Sequence, residues 1–260
     1  MSQSPPAYVD GHQLLEGKTV LITAAAGTGI GFSTARRCIE EGARVMISDI
    51  HERRLAEAVA ELKKTTGQDV PSCLCNVRDD EQVRALVASA VDELGVVDVL
   101  FNNAGLGGTT PVIEMTDDQW SSVIDITLTG TFRMTRAILP HMTSRGSGVI
   151  VNNASVLGWR AQVGQAHYAA AKAGVMALTR CSALEVADQG VRINAVSPSL
   201  ATHAFLTKVM DQETLDVLTE REAFGRGAET WEVANVVVFL ASDYSSYMTG
   251  EVVAVSSQRA

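Results

Sequence analysis

Residues 18–42 read as strand, glycine-rich turn and helix in immediate succession, and few folds accommodate that order. Lys18 to Thr23, KTVLIT, is a short apolar run rich in β-branched side chains, which suits a strand buried on both faces. It leads straight into AAAGTGIG and then into the helical stretch FSTARRCIEEG. Glycines at 27, 29 and 31 let the backbone turn tightly and approach a pyrophosphate. The helix N-terminus that follows supplies amide donors and a partial positive charge. The next strand, ARVMIS, ends in Asp49, twenty residues past Gly29. A dinucleotide-binding fold places there the acid that hydrogen-bonds the adenosine ribose. A carboxylate at that point repels a 2′-phosphate, and the loop holds no Lys or Arg to offset it, so NAD(H) is expected over NADP(H). The plainer readings are a helix N-cap for Asp49 and a solvated helix face for nearby Arg53 and Arg54.

The alternation continues along the chain. Leu55, Val59 and Leu62 mark a helix that stops at Gly67, and VPSCLC reads as a third strand leading to Asn76-Val77. Asp79 or Asp80 can cap the next helix, where Val83, Leu86, Val87, Ala90, Val91 and Leu94 recur at helical spacing. VVDVLFN is a fourth strand, running into Asn103-Ala104-Gly105, and a long helix is predicted over Asp117–Leu139. GVIVNNAS is a fifth strand that delivers Ser155, and the helix carrying Tyr168 runs to about Ala187. VRINAVS, ending at Pro198, and EVVAV are the sixth and seventh strands. This pattern implies an α/β fold: a single Rossmann-type, doubly wound parallel sheet of about seven strands with helices on both faces. Ligands then belong at the carboxyl ends of the strands, where the glycine loop, Asp49, Asn76, Asn103, Ser155 and Pro198 all fall. Without repeats, low-complexity segments or linkers, residues 17–260 are expected to be one domain behind a flexible, proline-containing arm over 1–16. Residues 199–227 lack a strand pattern and are long for a connection, as substrate loops and lids are. Leu200, Phe205, Leu206, Val209, Met210, Leu215 and Leu218 give them an apolar side, which a pair of ordinary packing helices would also explain.

Chemistry concentrates in NNASVLGWRAQVGQAHYAAAK, residues 152–172. Tyr168 and Lys172 are four apart, so a helix puts them on one face. A free phenol titrates near pH 10, too high for a base at neutral pH, and a neighbouring cation favours the phenolate. Ser155, thirteen residues before Tyr168, can converge on the same substrate oxygen if a strand ends there and a helix follows. One group then steadies that oxygen while the other exchanges a proton with it. His167 points elsewhere on such a helix and reads as packing or surface.

Composition narrows the partners. The formal charge of −9 makes a nonspecific nucleic-acid or anionic-membrane surface a poor fit. No apolar run reaches the roughly 18 residues a membrane span needs, and the N-terminus lacks the regions of a signal peptide. Of Cys38, Cys73, Cys75 and Cys181 only one pair is close, and C-x-C without further ligands is a poor zinc site, so no metal is expected. Buried or partly buried free thiols and a reducing, cytoplasmic compartment fit better.

Taken in order, the glycine loop, Asn103-Ala104-Gly105, Ser155, Tyr168-x-x-x-Lys172 and the Asn194-to-Pro198 segment resemble the short-chain dehydrogenase/reductase family from Gly17 to about Val255. The resemblance implies strand order 3-2-1-4-5-6-7 and hydride transfer between a nicotinamide and a carbinol or carbonyl carbon. It implies that Tyr168 is the acid/base, that Ser155 orients the substrate oxygen, and that Lys172 lowers the phenol pKa and holds the nicotinamide ribose. Cofactor contacts are implied at Thr23, Gly27, Thr28, Gly29, Ile30 and Gly31, at Asp49, Asn76 and Val77, and at Asn103, Ala104 and Gly105. Tyr168, Lys172, Pro198, Ala201 and Thr202 complete that implied set. Homotetramers or homodimers built on the two long helices are implied as well.

Four departures from the family pattern stand out. The loop has Ala24 where the first Gly is usual, and one residue extra. Asn76 replaces an Asp that meets the adenine amine, with its amide oxygen still able to accept. Thr127 stands where an Asn usually holds a water in the proton relay, a water that a Thr hydroxyl would hold with altered geometry. Ser199 replaces the Gly after Pro198, and SSQRA replaces an Asp-Gly-Gly ending. With SVLGWRAQVGQ and SPSLATHAF, these features resemble a bacterial subgroup of steroid catabolism whose substrates are indane-ring acids carried as CoA thioesters. Arg160, Lys208 and Arg226 are then candidates for CoA phosphates, with plain surface charge as the blander reading. A 3-oxoacyl-thioester reductase is the main alternative, and a non-catalytic dinucleotide-binding protein the alternative of another class.

Overall fold

The computed structural model describes residues 3–203 and 212–258. Its sheet strands are β1 (Thr19–Ile22), β2 (Arg44–Asp49), β3 (Ser72–Leu74), β4 (Val99–Asn102), β5 (Gly148–Asn153), β6 (Val191–Pro198) and β9 (Val252–Val255). All pair in parallel, in the order β3-β2-β1-β4-β5-β6-β9. With β9 as the seventh sheet strand, this is the expected 3-2-1-4-5-6-7 arrangement. The strand order reverses between β1 and β4, and such a switch point creates the crevice in which these sheets bind ligands.

Period-two alternation sorts the strand side chains between two cores. Val20, Ile22, Val99, Phe101 and Val151 face α1 (Ile30–Glu40), α2 (Glu52–Thr66) and α8 (Thr230–Ala241). Leu21, Leu100, Ile150 and Ile193 face α3 (Asp80–Leu94), α5 (Gly130–Arg145) and α6 (Ala166–Val186). Strands covered on both faces read as unbroken apolar runs, which is why they stand out in the sequence.

Four segments differ from expectation. The long helix predicted over Asp117–Leu139 is α4 (Asp117–Ile124), a π turn (Asp125–Thr129) and α5, which continues past Pro140 to Arg145. Thr143 donates to the Leu139 carbonyl there, Met142 is fully buried, and Gly146 caps the end at φ 65°. Strand VPSCLC pairs only over Ser72–Leu74. Residues 199–227 hold a two-residue strand, β7 (Ala201–Thr202), paired with β8 (Ala228–Glu229), and the helix α7 (Gln212–Glu220). Within α7, Leu215 is buried, whereas Phe205, Leu206, Lys208, Val209 and Met210 lie outside the described residues.

The fourth difference is the arm, which is tied down rather than loose from residue 3 onward. Glu41, 1% exposed, accepts from the His12 and Leu14 amides and pairs with buried Arg37. Tyr8 donates to Glu40, lies under the Arg36 and Arg37 guanidinium groups and meets the Trp231 ring at 5.2 Å. Leu15 is fully buried.

Candidate active site

The glycine loop sits at the carboxyl end of β1 and is held from beneath. Asn103 Nδ2 donates to the Ala24 carbonyl, and the Ala25 amide donates to Ser48 O. Asp49 Oδ2 accepts from the Ala26 amide at 3.1 Å, while Oδ1 accepts from the His51 amide. Asp49 therefore braces the loop as well as standing at the end of β2. Burial pushes its carboxyl up, against the Ala26 hydrogen bond and the Arg54 charge. Gly27 turns at φ 95° and, like Gly29, faces open space, whereas a Cβ on Gly31 would meet Asn103 Nδ2 at 2.5 Å and Ala24 O at 2.6 Å. Only glycine lets α1 start so close to β4. The α1 N-terminus has no side-chain cap, so its first amides remain available to an anion. This cradle, with a carboxylate at the end of β2, fits a dinucleotide.

A cluster holding Ser155, Tyr168 and Lys172 forms at the carboxyl ends of β4 and β5. Thr23 Oγ1 accepts from the Asn103 and Ala104 amides and so ties β1 to β4. Asn153 Nδ2 donates to Asn103 Oδ1 and continues the tie to β5. Ser155 is buried beyond β5, with its hydroxyl accepting from the Leu157 amide. From α6, the Lys172 ammonium, 3% exposed, donates to the Asn153 carbonyl and lies 5.5 Å from the Tyr168 ring centre. A Cβ on Gly105 would stand 3.5 Å from Lys172 Nζ, an ordinary van der Waals distance, so Gly105 lies against the ammonium.

Burial dominates the titration of this pair. It pushes the Tyr168 phenol up to about 12, opposed by a hydrogen bond with Ser155, and the Lys172 ammonium down to about 7. The expected net lowering of the phenol by Lys172 is therefore not found.

Other anticipated residues are placed differently. Thr127, fully buried in the π turn, accepts from the Leu106 amide and donates to the Leu106 carbonyl, so its hydroxyl fastens the loop after β4. Asn76 Oδ1 accepts from the Arg78 amide in an Asx turn, and Val77 packs its side chain against Gly130. Pro198 ends β6 opposite Val255. Thr202, beyond it, donates its hydroxyl to Ala228 O. Arg226 forms a two-pronged pair with Glu232, which neutralises its charge, and exposed Arg160 donates to Gln258. His167 is buried behind Gly108, as packing predicts. Cys38, Cys73 and Cys75 are buried or partly so, but Cys181 is exposed, and all four thiols are free. Among the described residues no cluster of metal-ligating side chains forms and no helix is long and apolar enough to cross a membrane.

Sequence reading passed over Asn153, whose carbonyl and amide join Lys172 to Asn103. It also passed over Asn152, fully buried between Asn102 and Thr179. The doubled Asn at the end of an apolar strand was the available signal, since buried amides demand partners.

A parallel sheet in this order, an uncapped glycine turn and a Ser–Tyr–Lys cluster at the strand ends define a dinucleotide-dependent oxidoreductase fold, and the chain belongs to the short-chain dehydrogenase/reductase family. Residues 24–257 match the family model described as enoyl-(acyl carrier protein) reductase. A Mycobacterium tuberculosis protein named (5R,7aS)-5-hydroxy-7a-methyl-1-oxo-2,3,5,6,7,7a-hexahydro-1H-indene-carboxyl-CoA reductase is 61% identical over 97% of both chains. The Thermotoga maritima 3-oxoacyl-(acyl-carrier-protein) reductase FabG is 39% identical over 93% of this chain and 97% of its own. The crystal structure of a short chain dehydrogenase from Mycobacterium smegmatis superposes with a TM-score of 0.88, at 57% identity over 99% of each chain.

Proposed function

We propose that this protein is an NAD(H)-dependent reductase or dehydrogenase of a ring ketone or secondary alcohol, with a steroid-derived bicyclic acyl-CoA as substrate. The observation that carries this reading is the convergence of Ser155, Tyr168 and Lys172 at the strand ends beside an uncapped glycine turn. The loop Gly27–Gly31 and the α1 amides would hold the pyrophosphate, Asp49 the adenosine ribose, and Lys172 the nicotinamide ribose. A bound nicotinamide supplies the hydride chemistry. In the reducing direction Tyr168 gives its phenolic proton to the substrate oxygen while Ser155 donates a hydrogen bond to it; in the oxidising direction Tyr168 takes that proton back. Thr127 acts one step removed, by fixing the backbone after β4.

The substrate class rests on similarity to the indene-carboxyl-CoA reductase and on apolar side chains around the strand ends. Leu106, Val112 and Ile113 after β4, and Trp159 and Val163 after β5, stand exposed where an apolar ring system would be shielded. The preference for NAD(H) rests on Asp49. Assembly into a homotetramer or homodimer is supported by exposed Trp120, Phe132 and Leu184 on α4, α5 and α6, and a cytoplasmic setting by the free thiols.

Replacing Tyr168 with Phe tests the assignment. Turnover of a bicyclic ketone should fall by about 10³-fold, while NADH binding, followed by fluorescence, changes less than about 3-fold. Residual activity near that of the wild type sinks the acid/base role. Reduction of acetoacetyl-CoA with NADPH, much faster than with NADH, would instead favour the 3-oxoacyl-thioester reading.

A further inference from the structure

Three neighbouring strands send segments over the same end of the sheet. β5 leads into residues 154–165, which include Ser155 and Arg160; β6 leads into the described residues 199–203 and 212–227; and β9 leads into the tail Ser256–Gln258. The first carries Ser155, and the second, in its described residues, leaves the strand beside it, so both border the carboxyl ends where the proposed substrate cleft lies and serve as its two walls. The tail is bonded to both. Arg160 Nη1 donates to Gln258 Oε1 at 2.5 Å, which fastens the tail to the first wall. On the second wall Glu222, only 2% exposed, accepts from the Ser257 hydroxyl at 2.8 Å and from the Ser257 amide at 3.2 Å. Its other oxygen accepts from the Leu200 amide. The Ala223 amide donates to Ser257 O, Glu222 and Gln258 form an antiparallel bridge, and the Ser199 amide donates to Val255 O.

We propose that Ser257 and Gln258 are positioning residues for the substrate: the tail is a strap that holds the two cleft walls at a fixed separation. Neither residue touches the Ser155–Tyr168–Lys172 cluster, so the strap acts through Arg160, Leu200 and Glu222. A buried carboxylate needs hydrogen-bond partners; the Leu200 amide serves one Glu222 oxygen, and the Ser257 hydroxyl and amide serve the other. A rigid ligand that spans both walls depends on their separation, whereas a small ketone at the reacting centre does not. This inference rests on the proposed oxidoreductase reading, which its substrate arm shares.

The test compares wild type, Gln258→Ala, Ser257→Ala and Gln258→Glu, the last keeping an acceptor for Arg160. With NADH as donor, KM for the bicyclic ketone 1-decalone should rise about 5–10-fold in the Ala variants with kcat within about 2-fold, and Gln258→Glu should restore it. KM for cyclohexanone and NADH affinity should stay unchanged. Hydrogen exchange, read without any substrate, should quicken in residues 156–165 and 199–203 of Gln258→Ala. Faster exchange confined to 255–258, or an unchanged KM for 1-decalone, overturns the strap. If wild type reduces neither ketone, the oxidoreductase reading fails, and hydrogen exchange alone decides whether the tail holds the walls.

Discussion

Ala24 sits at φ 50°, in the left-handed region, at the first step out of β1. An L-residue there costs about 1–2 kcal/mol, because Cβ crowds the following carbonyl. The loop accepts that cost because the Asn103 amide grips the Ala24 carbonyl and Asp49 grips the Ala26 amide, which over-determines the turn. Ala24→Gly should therefore raise the urea midpoint with unchanged slope. The relieved strain, less the extra unfolded-state freedom of glycine, leaves about 0.5–1 kcal/mol. A lower midpoint would mean that the loop is not strained. That a residue rather than a gap stands in for the usual glycine was legible in the sequence. That it takes up the glycine's conformation was not, because backbone dihedrals follow from bonds that span 23 and 79 residues.

At the level of elements, the site depends on a buried polar ladder beneath it. Asn102 Nδ2 donates to Thr135 on α5 and to Asn152 Oδ1 on β5, and Asn152 Nδ2 donates to Thr179 on α6. Every member is nearly or fully buried. The ladder links two strands to two helices directly under Asn153 and Ser155. Asn152→Ala removes two of these bonds and leaves a buried amide of Asn102 half-satisfied, so it should destabilise the fold by about 2–3 kcal/mol. Catalysis at saturating substrate should survive at temperatures where the variant is folded, and chemical unfolding with activity assays checks both. The strands and their ends were readable because apolar runs and glycine turns are local signals. The π turn at Thr127, the β7–β8 pairing and the docked arm were not. Each is decided by long-range partners: Leu106 for Thr127, Ala228 for Thr202, and Glu41 for residues 12 and 14.

The whole molecule carries the cost of holding an ammonium inside. Lys172 titrates at about 7 in the folded protein against an ordinary value near 10.5, because burial disfavours its charged form. Between those values the unfolded chain binds more protons than the folded one, so folding stability rises with pH across that window and the full cost falls below pH 7. Other buried groups bound the window from above. The Cys38 and Cys75 thiols are raised from 9.0 to about 12, and the Tyr168 phenol from 10.0 to about 12, all by burial. These stay protonated in the folded state after they ionise in the unfolded one, so they make stability fall above pH 9 and 10 respectively. Among the described residues Lys172 dominates from pH 7 to about 8, before the thiols begin to ionise in the unfolded chain. Urea midpoints should climb over that interval in the wild type and stay flat in Lys172→Met, with the variant the more stable at pH 7. The lost hydrogen bond to the Asn153 carbonyl offsets part of that gain, by about 1 kcal/mol. A wild-type midpoint that is level from pH 7 to about 8 would show the ammonium to be better solvated than its burial implies. A site tuned only for stability would not keep a lysine there, and the slope of that curve measures what the fold gives up to hold it beside Tyr168.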